Sequence, residues 1–137
     1  KDHWVYQGDR QNLYIYPLSG QNGEKQVATY SPHYNEEIAS EVLKLTSQAE
    51  GRQVMVTLLA LEETVISREA VFSSGKERTH LDTTTLRLEN SQGTYQVLLN
   101  HFEDDTIMGR KADKIDGRFV YGRALVIEDE QVTVLRS

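Results

Sequence analysis

Five cationic side chains lie close together in the C-terminal part of the sequence, where they are well suited to bind an anion. Between positions 106 and 125, five Lys and Arg residues outnumber two Asp residues, which gives a local net charge of +3. The cations are Arg110, Lys111, Lys114, Arg118 and Arg123. Three of them follow glycine directly, and an accessible glycine N–H beside a guanidinium helps to hold a carboxylate, sulfate or phosphate. We therefore predict partner binding by Arg110, Lys111, Arg118 and Arg123. The alternative is that these cations face solvent and pair across strands with nearby acids.

A second cluster combines one histidine with carboxylates. His101, Glu103 and Asp105 alternate along the sequence, so in an extended chain their side chains project to the same side. Such a set is the weak candidate for a metal site, because carboxylates suit Ca²⁺ or Mg²⁺ and a histidine adds affinity for a transition metal. The spacing does not match a calcium-binding EF-hand loop. We expect a solvated acidic turn here, with no metal.

Aromatic residues are concentrated in the N-terminal quarter of the chain, where five of the seven tyrosines lie between Tyr6 and Tyr34. Tyr and Trp supply rigid contact area with a polar tip and are enriched at protein interfaces. Trp4, Tyr14 and Tyr16 are therefore predicted to contact a partner. The same residue types are also favoured simply because they form strands well.

The sequence contains no specific catalytic motif. Its four histidines form no H-E-x-x-H pair, its serines do not occur in G-x-S-x-G, and it has no cysteine. A hydrolase needs only two carboxylates, and twenty-one acids leave such a pair open without locating it. We predict that the protein is not an enzyme and needs no cofactor.

Short apolar segments that must position these side chains recur along the chain, separated by Gly, Ser, Asn or acidic residues. They are rich in β-branched and aromatic residues, as in an all-β sandwich or barrel. After residue 53 the segments are Val54–Leu59, Thr64–Ile66, Val71–Phe72, Thr83–Leu88, Tyr95–Leu99, Phe119–Tyr121 and Leu125–Ile127. Three more precede them: Trp4–Tyr6, Leu13–Tyr16 and Gln26–Tyr30. We predict about nine or ten antiparallel strands in a sandwich or a partly open barrel.

One segment has the pattern of an amphipathic helix. Ile38, Val42, Leu45 and Ala49 recur at i, i+4, i+7 and i+11, which places them on one helical face. Asn35 is a suitable N-cap residue and Gly51 a suitable C-terminal stop. The pattern predicts one helix over residues 36–50 that covers the sheet. The alternative architecture is an α+β two-layer fold.

Composition sets the class of protein. The 137 residues fit a single β-rich domain spanning 1–137, and the 38% hydrophobic content suffices for an apolar core. A net charge of −6 argues against a nucleic-acid partner. No apolar run approaches the roughly 20 residues of a transmembrane helix. The Lys1 start and the absence of cysteine lead us to expect an exported bacterial protein, periplasmic or secreted.

These observations predict a non-enzymatic protein-binding module, in particular an inhibitor or immunity protein that blocks a partner enzyme or toxin. Two other functions stay open. One is a small-ligand carrier with a β-barrel cavity, and the other is a carboxylate-dependent hydrolase. A carrier requires an enclosed apolar cavity, whereas a protein binder requires an exposed patch or a protruding loop.

Overall fold

A computed structural model describes residues 2–73, 75–79, 82–101 and 113–136, and this part of the chain is all-β. The prediction of a mainly β, antiparallel fold is confirmed, and the strands form several sheets. The strands in chain order are β1 (Trp4–Gln7), β2 (Asn12–Pro17), β3 (Asn22–Tyr30), β4 (Ile38–Thr46), β5 (Thr57–Ala60), β6 (Val65–Arg68), β7 (Val71–Ser73), β8 (Lys76–Glu77), β9 (Thr83–Asn90), β10 (Gly93–Asn100), β11 (Asp113–Ile115), β12 (Arg118–Val120), β13 (Ala124–Glu128) and β14 (Gln131–Arg136).

The predicted helix over residues 36–50 is wrong, because most of this segment is strand β4. All nine residues of β4 pair with β3, from Ile38 opposite Tyr30 to Thr46 opposite Asn22. Cross-strand hydrogen bonds form in place of the predicted helical hydrogen bonds. Pairing with β3 thus outweighs the local helical pattern of the sequence. Asn35 has a φ of 61°, which is a turn conformation rather than that of an N-cap. With no helix in the described residues, the α+β alternative is also wrong.

The chain divides into two compact units, Lys1–Leu61 and Glu62–Ser137. The expectation of a single domain spanning 1–137 is not tested by this division and stays a prediction. In the first unit, β2 pairs with both β1 and β5, so these strands form a three-stranded antiparallel sheet in the order β1-β2-β5. Strands β3 and β4 lie between β2 and β5 in sequence and form a separate two-stranded hairpin.

Two aromatic side chains organise the first unit. Tyr16 is buried, and its ring stacks on His3 with centroids 5.2 Å apart. The Trp4 indole packs against Gly23, the second residue of β3, at the base of the hairpin. A methyl group on Gly23 would lie only 2.5 Å from Trp4 Nε1, so glycine is required for this close approach.

The second unit contains a five-stranded sheet in the order β14-β13-β10-β9-β6 and a four-stranded sheet in the order β12-β11-β7-β8. Neither is closed into a barrel. One apolar core cluster joins them. The four-stranded sheet contributes Val71, Ile115 and Val120, and the five-stranded sheet contributes Leu98, Leu125 and Ile127.

A buried polar network lies beside this core and fixes the start of β11. Asp113 is only 1% exposed, and its carboxylate accepts hydrogen bonds from Arg78 Nε at 2.7 Å and from Asn100 Nδ2 at 2.9 Å. The Asn100 amide also donates to the Gly122 carbonyl at 2.8 Å and accepts from the Thr83 hydroxyl at 2.8 Å. Asn100 is thus itself held by two further hydrogen bonds, and such support from neighbouring hydrogen bonds favours the burial of an ion pair.

Candidate functional site

A row of side chains crosses the outer face of the four-stranded sheet. The strand register places Glu77 opposite Phe72, Phe72 opposite Lys114, and Lys114 opposite Phe119. Directly opposite residues in a sheet project to the same face with their Cβ atoms about 5 Å apart. The row therefore alternates charged and aromatic side chains, in the order acid, ring, cation, ring.

The outer and inner faces of this sheet differ sharply in exposure. Val71 and Ile115, which neighbour row residues in sequence, are 3% and 1% exposed because they belong to the core. Phe72 and Phe119 are 41% and 71% exposed on the opposite face. Two accessible phenylalanine rings on one sheet face form an apolar surface of the kind that marks an interaction site.

Three members of the row, Phe72, Lys114 and Phe119, lie along an open groove of about 800 Å³ in the second unit. Its lining comprises two aromatic, four charged and three small residues: Phe72, Phe119, Glu69, Arg87, Lys114, Asp116, Ala70, Gly75 and Gly117. A concave, mostly apolar surface with a few charged groups is the usual form of a ligand or peptide site.

Lys114 is the central charge of the groove. Its Nζ lies 5.5 Å from the centroid of the Phe119 ring, within range of a cation–π contact. Among the described residues, the ion pairs of the second unit involve Arg78 and Arg87, and none involves Lys114. The ammonium group is thus held over an aromatic ring with its charge available to an incoming carboxylate.

Arg87 is in the opposite situation, because two glutamates neutralise it. Its guanidinium lies 3.0 Å from Glu89 Oε1 and 3.4 Å from Glu69 Oε1. The hydrogen bonds to Glu89 and Glu69 raise the pKa of Arg87 above its ordinary value. Glu69 also accepts a hydrogen bond from Gln96 Nε2 at 2.6 Å. These partners hold Arg87 and Glu69 in fixed positions at one side of the groove.

A two-residue turn sets the position of Phe119 relative to Lys114. Asp116 and Gly117 connect β11 to β12, and both have positive φ, 46° and 76°. Positive φ at both central residues is the mark of a type I′ turn, for which Asp-Gly is a preferred dipeptide. This turn fixes the register that places Lys114 opposite Phe119.

The predicted basic strip is only partly within the described residues, which include Arg118 and Arg123. Arg118 Nη1 donates to the Asp129 carbonyl at 3.4 Å. The backbone of Arg123 bonds at 2.8 Å to both Arg136 and Asn100. Arg110 and Lys111 lie outside the described residues. Anion binding by the four residues stays a prediction.

Backbone geometry accounts for the glycines that precede Arg118 and Arg123. Gly117 supplies the second positive φ of the type I′ turn. Gly122 has a φ of 152°, and a methyl group there would lie 2.7 Å from Leu125 Cδ2. These two glycines therefore have structural reasons that do not involve an anion.

The three aromatic residues predicted to contact a partner do not share one surface. Trp4 lies opposite Ile15, whereas Tyr14 and Tyr16 lie on the other face of the same sheet. Trp4 and Tyr14 are half-buried, and Tyr16 is 7% exposed. Tyr16 would reach a partner only after rearrangement of its packing, so we place the candidate site elsewhere. The binding role of these residues is untested.

Of the three residues in the weak metal candidate, the structure describes only His101, since Glu103 and Asp105 lie outside the described residues. The Nε2 atom of His101 is 2.7 Å from the Thr84 hydroxyl, and its backbone N–H donates to the Asp82 carbonyl at 2.7 Å. In the described ranges, no three or more His, Asp or Glu side chains are grouped to hold a metal ion.

Comparison with known proteins adds no relative. No family model, no curated protein and no solved structure matches this chain. In the part of the chain that the structure describes, no helix has the length and apolar character to cross a membrane. The function must therefore be argued from the groove itself.

Phe72 and Phe119 were not among the predicted site residues, and Lys114 was noted in the cationic cluster but not among its predicted binding residues. A local signal for half of the row was present, because Asp116-Gly117 is a typical hairpin dipeptide between two short segments. It predicts that Lys114 and Phe119 lie opposite each other. No local signal places Phe72 beside them, since that pairing joins strands about forty residues apart.

Proposed function

We propose that this protein is a non-enzymatic protein-binding module and that the groove along Phe72, Lys114 and Phe119 takes an extended segment of a partner. The observation that carries the proposal is the pair of exposed rings on either side of a lysine whose described contacts include no carboxylate. Aromatic side chains commonly dominate binding free energy when a partner covers them.

The chemistry of the row favours a segment with apolar side chains on either side of an acid. Covering Phe72 and Phe119 removes apolar surface from water, at roughly 25 cal/mol per Å². A carboxylate above Lys114 gains a charge-assisted contact that strengthens as the rings exclude water. A polar partner would leave both rings exposed and would gain little.

We further propose that the second unit is a β-sandwich, its two sheets packed through the shared core cluster. In this arrangement the core supplies stability and the outer face of the four-stranded sheet is free for binding. An exported inhibitor or immunity protein works by covering part of its partner, and this module suits that role. Export itself is a separate proposal that rests on the sequence alone.

A second candidate function, small-ligand binding, is favoured by the size of the same groove. Its volume of about 800 Å³ falls within the range of roughly 300–1,000 Å³ typical of small-molecule sites. A small amphipathic carboxylate would use Lys114 and the rings as a peptide does. It would not require contacts beyond the groove.

Selection from a displayed peptide library tests the proposal. We expect enriched peptides with apolar residues around an acidic one, and titration calorimetry should give micromolar binding to the wild type. Phe119→Ser should weaken that binding by about 2 kcal/mol, roughly 30-fold.

Tyr6→Ser is the matched control, because Tyr6 is similarly exposed, at 64%, but lies on β1 in the first unit. It should leave the affinity unchanged. If selection yields no binder, or if the binders tolerate Phe119→Ser, the groove is not a protein-binding site.

A further inference from the structure

The turn of the β3–β4 hairpin, residues 31–37, together with Ile38 at the start of β4, carries a second exposed feature and is here called the tip. Tyr34 in this tip is 95% exposed, the highest value among the large apolar side chains of the described residues. Glu36 and Glu37 follow it, and Ile38, 38% exposed, begins β4. The tip thus presents an exposed aromatic ring, two acids and an exposed aliphatic side chain within five residues.

Local hydrogen bonds give the tip a defined shape. The Ser31 hydroxyl bonds to the carbonyls of His33 and Glu36, at 2.9 Å to His33, and Glu36 N–H donates to the His33 carbonyl at 3.1 Å. Asn35 has a positive φ of 61°, which turns the chain between Tyr34 and Glu36. A segment held in shape before binding loses less conformational entropy on docking.

The tip is chemically complementary to the groove. The groove offers a ring, a cation and a ring in sequence, and the tip offers a ring, an acid and an aliphatic side chain. Phe72 and Phe119 are two strand spacings apart, about 10 Å. A fully extended chain would separate Tyr34 from Ile38 by about 13 Å, and the turn at Asn35 shortens this distance.

We propose that the hairpin tip of one copy of this chain docks into the groove of a second copy. Tyr34 and Ile38 cover the Phe72 and Phe119 rings, and the Glu36 carboxylate pairs with Lys114. The inference rests on the proposed function, since it takes the groove to be a site for a protein segment, and it names the occupant.

This contact joins two different surfaces of the chain, so each copy has one tip and one groove to offer. Such a heterologous contact allows assembly to continue from copy to copy until the arrangement closes. The contact is small, and interfaces of this size are weak. We therefore expect reversible self-association in the micromolar to millimolar range.

Sedimentation equilibrium over that concentration range is the test. Tyr34→Ser and Phe119→Ser should each raise the dissociation constant of the wild type by at least roughly tenfold. Glu36→Lys should do the same, because it places a cation against Lys114. Glu37→Lys is the matched control: it makes the same charge change at the neighbouring residue, which the proposed pairing with Lys114 does not use. It should have a clearly smaller effect.

A charge exchange makes the test specific. The Lys114→Glu variant alone should self-associate more weakly than the wild type, as the Glu36→Lys variant does. An equimolar mixture of the two should restore association to within about twofold of the wild type, because each tip then fits the groove of the other variant. All these positions are on the surface, and unchanged thermal melting will show that the variants fold.

A wild type that is monomeric at millimolar concentration would overturn the inference, as would association that ignores Phe119→Ser or a mixture that fails to restore assembly. The proposed function would survive that result if library peptides still bound in a Phe119-dependent manner. The proposed function would fail together with the inference only if the library yielded no peptide that binds in a Phe119-dependent manner.

Discussion

The β3–β4 hairpin and the two sheets of the second unit use apolar residues in opposite ways. Among the residues that the structure describes, seven of the eight buried apolar side chains lie in the second unit, and Tyr16 is the only one in the first. In the hairpin, Val27 is 77% exposed and Val42 43% exposed, whereas Leu98 and Leu125 in the second unit are fully buried. Both regions are β-structure of similar composition, so propensity does not distinguish them.

The difference shows where stability and binding reside. A two-stranded hairpin is marginally stable by itself because it has no second layer to bury its side chains. The sheets of the second unit share one core cluster and a buried ion pair. Apolar residues of the core therefore stabilise the fold, while those of the hairpin are available for contact.

The largest expected effect is on the buried ion pair. Asp113→Ala removes the buried carboxylate that accepts hydrogen bonds from Arg78 and Asn100, and breaking a buried pair costs about 3–5 kcal/mol. Urea denaturation measures this loss. Glu89→Ala removes an exposed partner of Arg87 and should cost less than about 1 kcal/mol. Equal losses would mean that Asp113 is not the buried anchor described above.

Truncation of apolar residues compares the two regions directly. Leu98→Ala leaves a cavity in the core and should reduce the free energy of unfolding by about 2–5 kcal/mol. Val27→Ala, on the exposed hairpin, should change it by less than about 0.5 kcal/mol. A large effect at Val27 would show that the hairpin is packed against something in the folded protein.

A smaller effect is expected at the turn that aligns the groove. Gly117→Ala puts a Cβ on a residue with a φ of 76°, which should cost about 1–2 kcal/mol. Asp116→Gly is the control, because glycine tolerates positive φ, and it should cost less. Chemical denaturation separates the two. Equal costs would argue against strain at Gly117 as the cause.

Strand positions in the second unit followed from the sequence because their signal is local. Thr83–Leu88, Tyr95–Leu99 and Leu125–Ile127 were predicted as strands and lie within β9, β10 and β13. The segment 36–50 was misassigned because Ile38, Val42 and Leu45 fit a helical face, while their strand pairing depends on β3. Asn35 and Gly51 added to the error, since turn residues and helix-end residues are the same types.

The site was less predictable than the strands for a physical reason. Lys114 pairs with Phe72 across about forty residues, and composition or periodicity does not encode such a register. The charge-rich strip drew attention to Arg118, whose guanidinium donates to the Asp129 carbonyl, and to Arg123, whose backbone bonds to Arg136 and Asn100. A binding surface made by strand pairing becomes visible only when the pairing is known.

Hydrogen exchange of the wild type, with and without a saturating library peptide, tests the central claim most directly. That claim is that the Phe72–Lys114–Phe119 row is the binding surface. We predict slower exchange on peptide addition in β7, β11 and β12, with no change in β1 or β2. Slowing confined to β1 and β2, where Trp4, Tyr14 and Tyr16 lie, would contradict the claim and return the site to the N-terminal aromatic residues.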